Sequence, residues 1–266
     1  MAQDGLDSNV ENCEVAHLKL SSEPETIDGV FRNKVRIIQA LKGYRVSEDA
    51  LLLTWFTRIN DDSLALDAGT GNGVIAFGLA RKNKTITCFG LEIQSAPVLR
   101  AKRGALINNL EDRVFLIRGD LRQADRLFRP HNFDIVVSNP PYHEYGRGRI
   151  NRLSEKALSR HQIMMPVTKL FSVSSRLLKQ DGHLSLIYPA SGMDLIRKTA
   201  TDTGFKISRV LWIYPRVNVN PSLICVEAKL TKAKVELVES AIELYGPDGI
   251  RTPRAESILS GAEIED

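Results

Sequence analysis

The residues Asn139-Pro140-Pro141-Tyr142 follow directly on the apolar run Phe133-Asp134-Ile135-Val136-Val137-Ser138. Their types suit the holding of a planar amine. The lone pair of an amide or of a ring-bound amine is delocalised, so the nitrogen is a poor nucleophile until its hydrogens are held. The Asn139 side-chain oxygen and the Pro140 carbonyl can each accept one N–H, drawing the nitrogen toward tetrahedral geometry with its lone pair aimed at an electrophile. No strong base is then required. Two consecutive prolines fix φ near about −65° and lack N–H donors, so the loop is stiff and its carbonyl directed. Tyr142 supplies a face on which a base or an amide can stack. Taken alone, Asn-Pro-Pro is more often a rigid turn than a site, and its neighbours must decide.

Those neighbours begin with Asp67-Ala68-Gly69-Thr70-Gly71-Asn72-Gly73, which ends one apolar run and opens a helical pattern. Without a Cβ, glycine lets the backbone turn sharply and lets a ligand approach its N–H groups, and the helix behind adds a positive dipole end. Glu92 ends the next strand, 21 residues after Gly71, where a carboxylate can accept from both hydroxyls of a ribose. Asp120, in Arg118-Gly119-Asp120-Leu121, ends the third and could accept from an adenine amine. Gly71-x-Gly73-x-x-Ala76 also satisfies a permissive dinucleotide fingerprint, so the loop alone does not separate S-adenosylmethionine from NAD. Asp67 favours the methyl donor, whose amino group a carboxylate could hold, whereas it would repel a pyrophosphate.

The elements that must position these residues read as a βα alternation. Strands are predicted at Leu64–Ala68, Thr85–Leu91, Val114–Arg118, Phe133–Ser138, His183–Tyr188, Phe205–Ile213 and Leu223–Leu230. Helices are predicted at Val74–Arg81, Ala96–Asn109, Val167–Lys179 and Met193–Thr203. Apolar runs between Gly, Asn and Asp punctuation suit strands buried on both faces. The expected fold is α/β: a Rossmann-like, seven-stranded, mostly parallel sheet with an antiparallel edge hairpin and helices on both faces. Residues 1–26 read as a flexible extension, 27–63 as a hairpin and one helix packed on the core, 64–250 as the main domain and 251–266 as a tail.

An apolar content of 43% over 266 residues is ample for a core. No stretch approaches the roughly 18 uninterrupted apolar residues of a membrane-spanning helix, and no leader pattern opens the chain, so a cytoplasmic protein with no membrane partner is expected. Cys13, Cys88 and Cys225 are odd in number and far apart, which argues against a disulfide framework. The histidines His17, His131, His143, His161 and His183 show no ligand spacing, and no metal is expected. The net charge of +4 conceals an acidic start: six acids against Lys19 in residues 1–26 leave +9 for the rest. A basic body is compatible with a polyanionic partner. Between His143 and His161 the chain carries Arg147, Arg149, Arg152, Lys156 and Arg160, a set that could grip phosphates or simply face solvent.

With these residues in hand, the chain resembles the class I methyltransferases bearing an Asn-Pro-Pro-Tyr motif, and most closely the bacterial tRNA1(Val) adenine-N6-methyltransferase family. Three further stretches carry the likeness: Lys42-Gly43-Tyr44-Arg45-Val46-Ser47-Glu48-Asp49, Ser159-Arg160-His161, and Tyr245-Gly246-Pro247-Asp248-Gly249. The resemblance implies transfer of a methyl group from S-adenosylmethionine to the N6 amine of an adenosine in RNA, a tRNA position beside the anticodon. It implies that Asp67, Gly69, Gly71, Glu92, Asp120 and Leu121 bind the donor with Tyr44 and Arg45 nearby, and that Asn139, Pro140 and Tyr142 hold the amine; the charged segment beside them makes Arg147, Arg149 and Arg160 the candidates for RNA contact. His143 departs from the aromatic that relatives commonly place there, and the acidic extension is unusual. Methylation of a glutamine amide in a release factor needs a helical N-terminal domain for which the 66 residues before Asp67 leave little room. Guanine methylation of ribosomal RNA more often goes with Phe at the position of Tyr142. A nicotinamide-dependent dehydrogenase would leave the tetrapeptide without a role, and a catalytically silent RNA-binding module would not need it.

Overall fold

The computed structural model describes residues 24–42, 45–141 and 166–262. A hairpin of β1 (Glu25–Val30) and β2 (Val35–Ala40) leads into α1 (Glu48–Phe56). The alternation then runs β3 (Leu64–Ala68), α2 (Val74–Lys82), β4 (Thr87–Glu92), α3 (Ser95–Ile107), β5 (Val114–Arg118), a 3-10 turn at Leu121–Arg126, and β6 (Phe133–Ser138). It continues with α4 (Val167–Leu177), β7 (Leu178–Pro189), α5 (Met193–Asp202), β8 (Phe205–Arg216), β9 (Leu223–Leu230), β10 (Val238–Tyr245) and α6 (Pro253–Leu259).

The main sheet has the order β10-β8-β9-β7-β6-β3-β4-β5, and β9 alone runs antiparallel to its neighbours. The pleat sends successive residues to opposite faces. On one face Ala65, Ile135, Val137 and Leu211 meet Leu52 of α1, Phe77 of α2, Ala101 of α3 and Ile258 of α6. On the other, Leu66, Val136, Leu184 and Val210 meet Leu170 and Phe171 of α4 and Ile196 of α5. A sheet covered on both faces is why its central strands appear in the sequence as nearly unbroken apolar runs.

The α/β architecture is as expected, with three corrections. First, the sheet has eight strands, and the β8–β9 hairpin lies inside it: β9 is inserted between β7 and β8, and the edge belongs to β10. Only Ile242 of β10 is buried, so that strand lacks the apolar run that announces the others. Second, residues 251–266 are not simply a tail. Thr252 caps α6, its hydroxyl oxygen accepting from the Ala255 amide at 3.2 Å with Pro253 in the first turn, and Ala255, Ile258 and Leu259 are buried. Third, ordered structure begins before residue 27, because Glu25 opens β1 and its carboxylate accepts from Arg100 at 3.0 Å and Arg103 at 2.8 Å on α3, all three side chains being buried. The rest of the extension, residues 1–23, lies outside the described residues. The other edge of the hairpin is held by Asn108, which accepts from the Arg36 amide at 2.9 Å and donates to the Arg36 carbonyl at 2.7 Å, mimicking a strand partner.

Candidate functional site

Four consecutive strands of the sheet, β6-β3-β4-β5, end along one edge, and each delivers a residue singled out by type. Asn139 follows β6, the glycine loop follows β3, Glu92 ends β4, and Asp120 stands two residues past β5. In the parallel register Asp67 lies opposite Val137 and Gly90, so Asn139 emerges beside the glycine loop. The Ser138 hydroxyl donates to the Ala68 carbonyl at 2.7 Å in a fully buried bond that ties the two strand ends together. Pro140 is buried, Asn139 half-buried and Pro141 exposed.

The loop takes its shape from three left-handed glycines, with φ of 84° at Gly69, 55° at Gly71 and 89° at Gly73. A side chain in this region is strained in any L-residue. At Gly73 it would also strike the Phe77 ring at 2.6 Å, so that glycine serves packing. At Gly69 and Gly71 a Cβ would meet nothing within 4 Å, so these two face open space that a ligand can fill. The Gly69 and Thr70 amides are taken by the Leu91 carbonyl at 2.8 and 3.1 Å, which clamps the loop to β4.

Asp67 is completely buried. Its Oδ2 accepts from the Thr70 hydroxyl at 2.6 Å and from the Ala76 amide at 3.2 Å, so the carboxylate braces the loop from within, a role that its type and position did not disclose. Its Oδ1 is buried without a partner, as is the Oδ1 of Asn72. Burial pushes the Asp67 carboxyl up to about 7, against the two hydrogen bonds and with a further push from nearby Glu92. Glu92 accepts from the Gly71 amide at 3.2 Å and the Gln94 amide at 2.9 Å, which orients both oxygens while leaving lone pairs for hydroxyl donors. Open space over two glycines, an orphaned carboxylate oxygen and an oriented second carboxylate fit a cationic, ribose-bearing donor such as S-adenosylmethionine.

Asp120 is engaged by its neighbour. It accepts from the Arg122 amide at 2.9 Å and holds the guanidinium with contacts of 2.6 to 2.9 Å, which keeps its carboxyl below the ordinary range. Arg122 was not expected at this edge. An opposite charge two residues away on a strand-to-turn exit was its only sequence signal. Leu121 is buried beneath the same turn. Arg45, half-exposed, pairs with Asp28 of the hairpin. Tyr44, Tyr142, Arg147, Arg149 and Arg160 lie outside the described residues, as do His143 and His161. Cys88 and Cys225 are buried thiols in the core.

Comparison with known proteins bears on the family of the chain. The family described as the methyltransferase small domain matches residues 47–192, more than half of the chain. The chain is 27% identical over 221 residues to a tRNA1(Val) (adenine(37)-N6)-methyltransferase of Porphyromonas gingivalis, covering 78% of this chain and 86% of that one. It is 22% identical over 219 residues to a protein of the same name from Dyadobacter fermentans, covering 81% and 88%. Among solved structures, a predicted O-methyltransferase of Agrobacterium tumefaciens superposes with a TM-score of 0.65 at 16% identity, covering 82% of this chain and 98% of that one. The M. jannaschii TYW2 solved with AdoMet gives 0.56 at 14%, covering 79% and 87%. The fold, the glycine loop with its carboxylates, and the match across residues 47–192 converge: the chain belongs to the methyltransferase small domain family and is an S-adenosylmethionine-dependent methyltransferase.

Proposed function

We propose that this enzyme transfers the methyl group to the exocyclic N6 amine of an adenosine in tRNA, beside the anticodon, in a cytoplasmic setting. One observation carries the reading most directly: β6 delivers Asn139 and Pro140 next to the glycine loop, and the Ser138–Ala68 hydrogen bond fixes that separation. The relatives named for adenine-N6 methylation of tRNA1(Val) support the choice of acceptor.

When bound, S-adenosylmethionine supplies an electrophilic methyl group on a sulfonium. Gly69 and Gly71 leave room for it, Asp67 would hold its amino group through Oδ1, directly or through water, and Glu92 would accept from its ribose. Asp120 and Leu121 would hold its adenine, and Tyr44 and Arg45 are the further candidates for contact with it. The Asn139 side-chain oxygen and the Pro140 carbonyl each accept one N–H of the target amine. This holds its lone pair toward the methyl while Tyr142 stacks on the base. Positioning and orientation supply most of the acceleration, since the reacting atoms need only be held in line. The departing proton passes to solvent once the methylated nitrogen carries a positive charge. Because a base in RNA is ordinarily stacked, the target adenosine is splayed from the loop before it enters. Arg147, Arg149 and Arg160 bind the flanking phosphates. No described helix is long and apolar enough to cross a membrane.

The test is incubation of the purified protein with total tRNA and labelled donor, followed by digestion to nucleosides. N6-methyladenosine is the expected product. Label in protein, on a glutamine amide, would redirect the assignment to the release-factor reaction.

A further inference from the structure

Two parts of the chain outside the βα alternation converge on one short stretch, Arg45–Glu48. From β2, the buried Gln39 accepts the Val46 amide on Oε1 at 2.7 Å and donates through Nε2 to Asp28 of β1. The same Asp28 oxygen accepts from the Arg45 guanidinium and from the Thr26 hydroxyl, the latter at 3.0 Å. From the C-terminal side, Arg251 donates to the Glu48 carboxylate and to the Tyr245 phenol oxygen at 3.1 Å, with its guanidinium 5.4 Å from the centre of the Tyr245 ring. A buried amide that binds a main-chain N–H fixes the backbone of the segment and not only one side chain of it.

The location of this stretch follows from the helix it opens. Lys82, at the end of α2, donates to the Trp55 and Thr57 carbonyls at the end of α1, and the Thr54 methyl lies against Gly78. The two helices therefore run side by side in the same direction and start together at the carboxyl edge of the sheet. Arg45–Glu48, which lead into α1, therefore lie at the same edge of the sheet as the glycine loop that opens α2. We propose that Gln39 and Arg251 are positioning residues for donor binding: the hairpin and the turn between β10 and α6 clamp residues 45–48 as one wall of the donor site. The inference rests on the reading of Gly69, Gly71 and Glu92 as that site.

The test compares S-adenosylmethionine affinity by calorimetry, kcat and the two KM values with tRNA, and the melting temperature across four variants. Gln39→Leu removes both hydrogen bonds at similar volume, and is expected to raise the donor Kd and donor KM about tenfold, the equivalent of about 1.4 kcal/mol. The KM for tRNA stays unchanged. Arg251→Leu does the same more weakly and Arg251→Lys recovers most of the loss, which keeps the test decisive should Gln39→Leu fail to fold. Glu25→Gln loosens the same hairpin from α3 without touching the clamp, so it lowers the melting temperature and leaves the donor Kd in place. Folded Gln39→Leu and Arg251→Leu proteins with wild-type donor affinity overturn the proposal. So does a Glu25→Gln protein whose donor affinity falls in step with its stability, since hairpin integrity alone would then explain the effect. A wild-type protein that binds no S-adenosylmethionine overturns the underlying site reading and the clamp with it, a result distinguishable from loss of the clamp alone.

Discussion

Asp67 has a structural role beside the one that its type and position suggest. A carboxylate at a strand end beside a glycine loop looks like a ligand for the donor's amino group. Here one oxygen is spent inside the protein on Thr70 and Ala76, and only Oδ1 remains for a ligand. With its carboxyl pushed up to about 7, Asp67 is partly protonated at neutral pH. A cationic donor favours the ionised form, so binding near pH 7 releases a proton. Calorimetric titration with S-adenosylmethionine in buffers of different ionisation enthalpy should show this release, and Asp67→Asn should abolish the buffer dependence. The sign for stability is the reverse of the usual carboxylate case. The unfolded chain ionises from about pH 4 while the folded protein holds its proton to about 7, so unfolding free energy falls as pH rises through that window. Asp67→Asn flattens the slope in denaturant titrations. Between Gly71 and Gly73 the structure separates two costs. Gly71→Ala is expected to weaken donor binding with about 1 kcal/mol of backbone strain, whereas Gly73→Ala adds the collision with Phe77 and lowers stability further. Urea unfolding beside donor titration checks both.

At the scale of elements, the hairpin is held to α3 by a buried carboxylate between two buried guanidinium groups. Glu25→Gln removes the carboxylate charge that both guanidinium groups share, and is expected to cost about 2 kcal/mol in urea unfolding. Legibility in the sequence tracked burial on both faces. The runs 64–68, 133–138 and 223–230 mark central strands whose bounds the structure reproduces, and 114–118 was legible from its apolar residues although β5 is an edge strand with Phe115 exposed. β10 escaped notice because an edge strand with one exposed face carries Glu239, Ser240 and Glu243 where a central strand would carry an apolar run. α6 did leave a trace, since Thr252-Pro253 is a cap followed by a proline in the first turn. The place of β9 between β7 and β8 is set by long-range pairing, which local pattern does not encode. The same limit hid the contacts of Gln39 and Arg251, whose partners lie 7 and 203 residues away.

For the whole molecule, the charge distribution and the sheet edge bear on the acceptor. Outside its acidic first 26 residues the chain carries +9, and phosphate contacts release counterions on binding RNA. Affinity for tRNA should therefore fall steeply between low and high salt while affinity for the donor changes little. Parallel filter-binding and calorimetric titrations would show it, and equal salt slopes for both ligands would argue against a phosphate-driven interface. The central claim is that Asn139 and Pro140, fixed beside the glycine loop, hold an adenosine amine for methylation. Its most direct measurement is transfer of labelled methyl to tRNA by the wild type and by Asn139→Ala, with the product read as nucleosides and donor affinity followed in parallel. The account predicts N6-methyladenosine from the wild type, a loss of at least about a hundredfold in kcat for the variant, and an unchanged donor Kd. Undiminished transfer by Asn139→Ala, or a methylated product other than N6-methyladenosine, would contradict it.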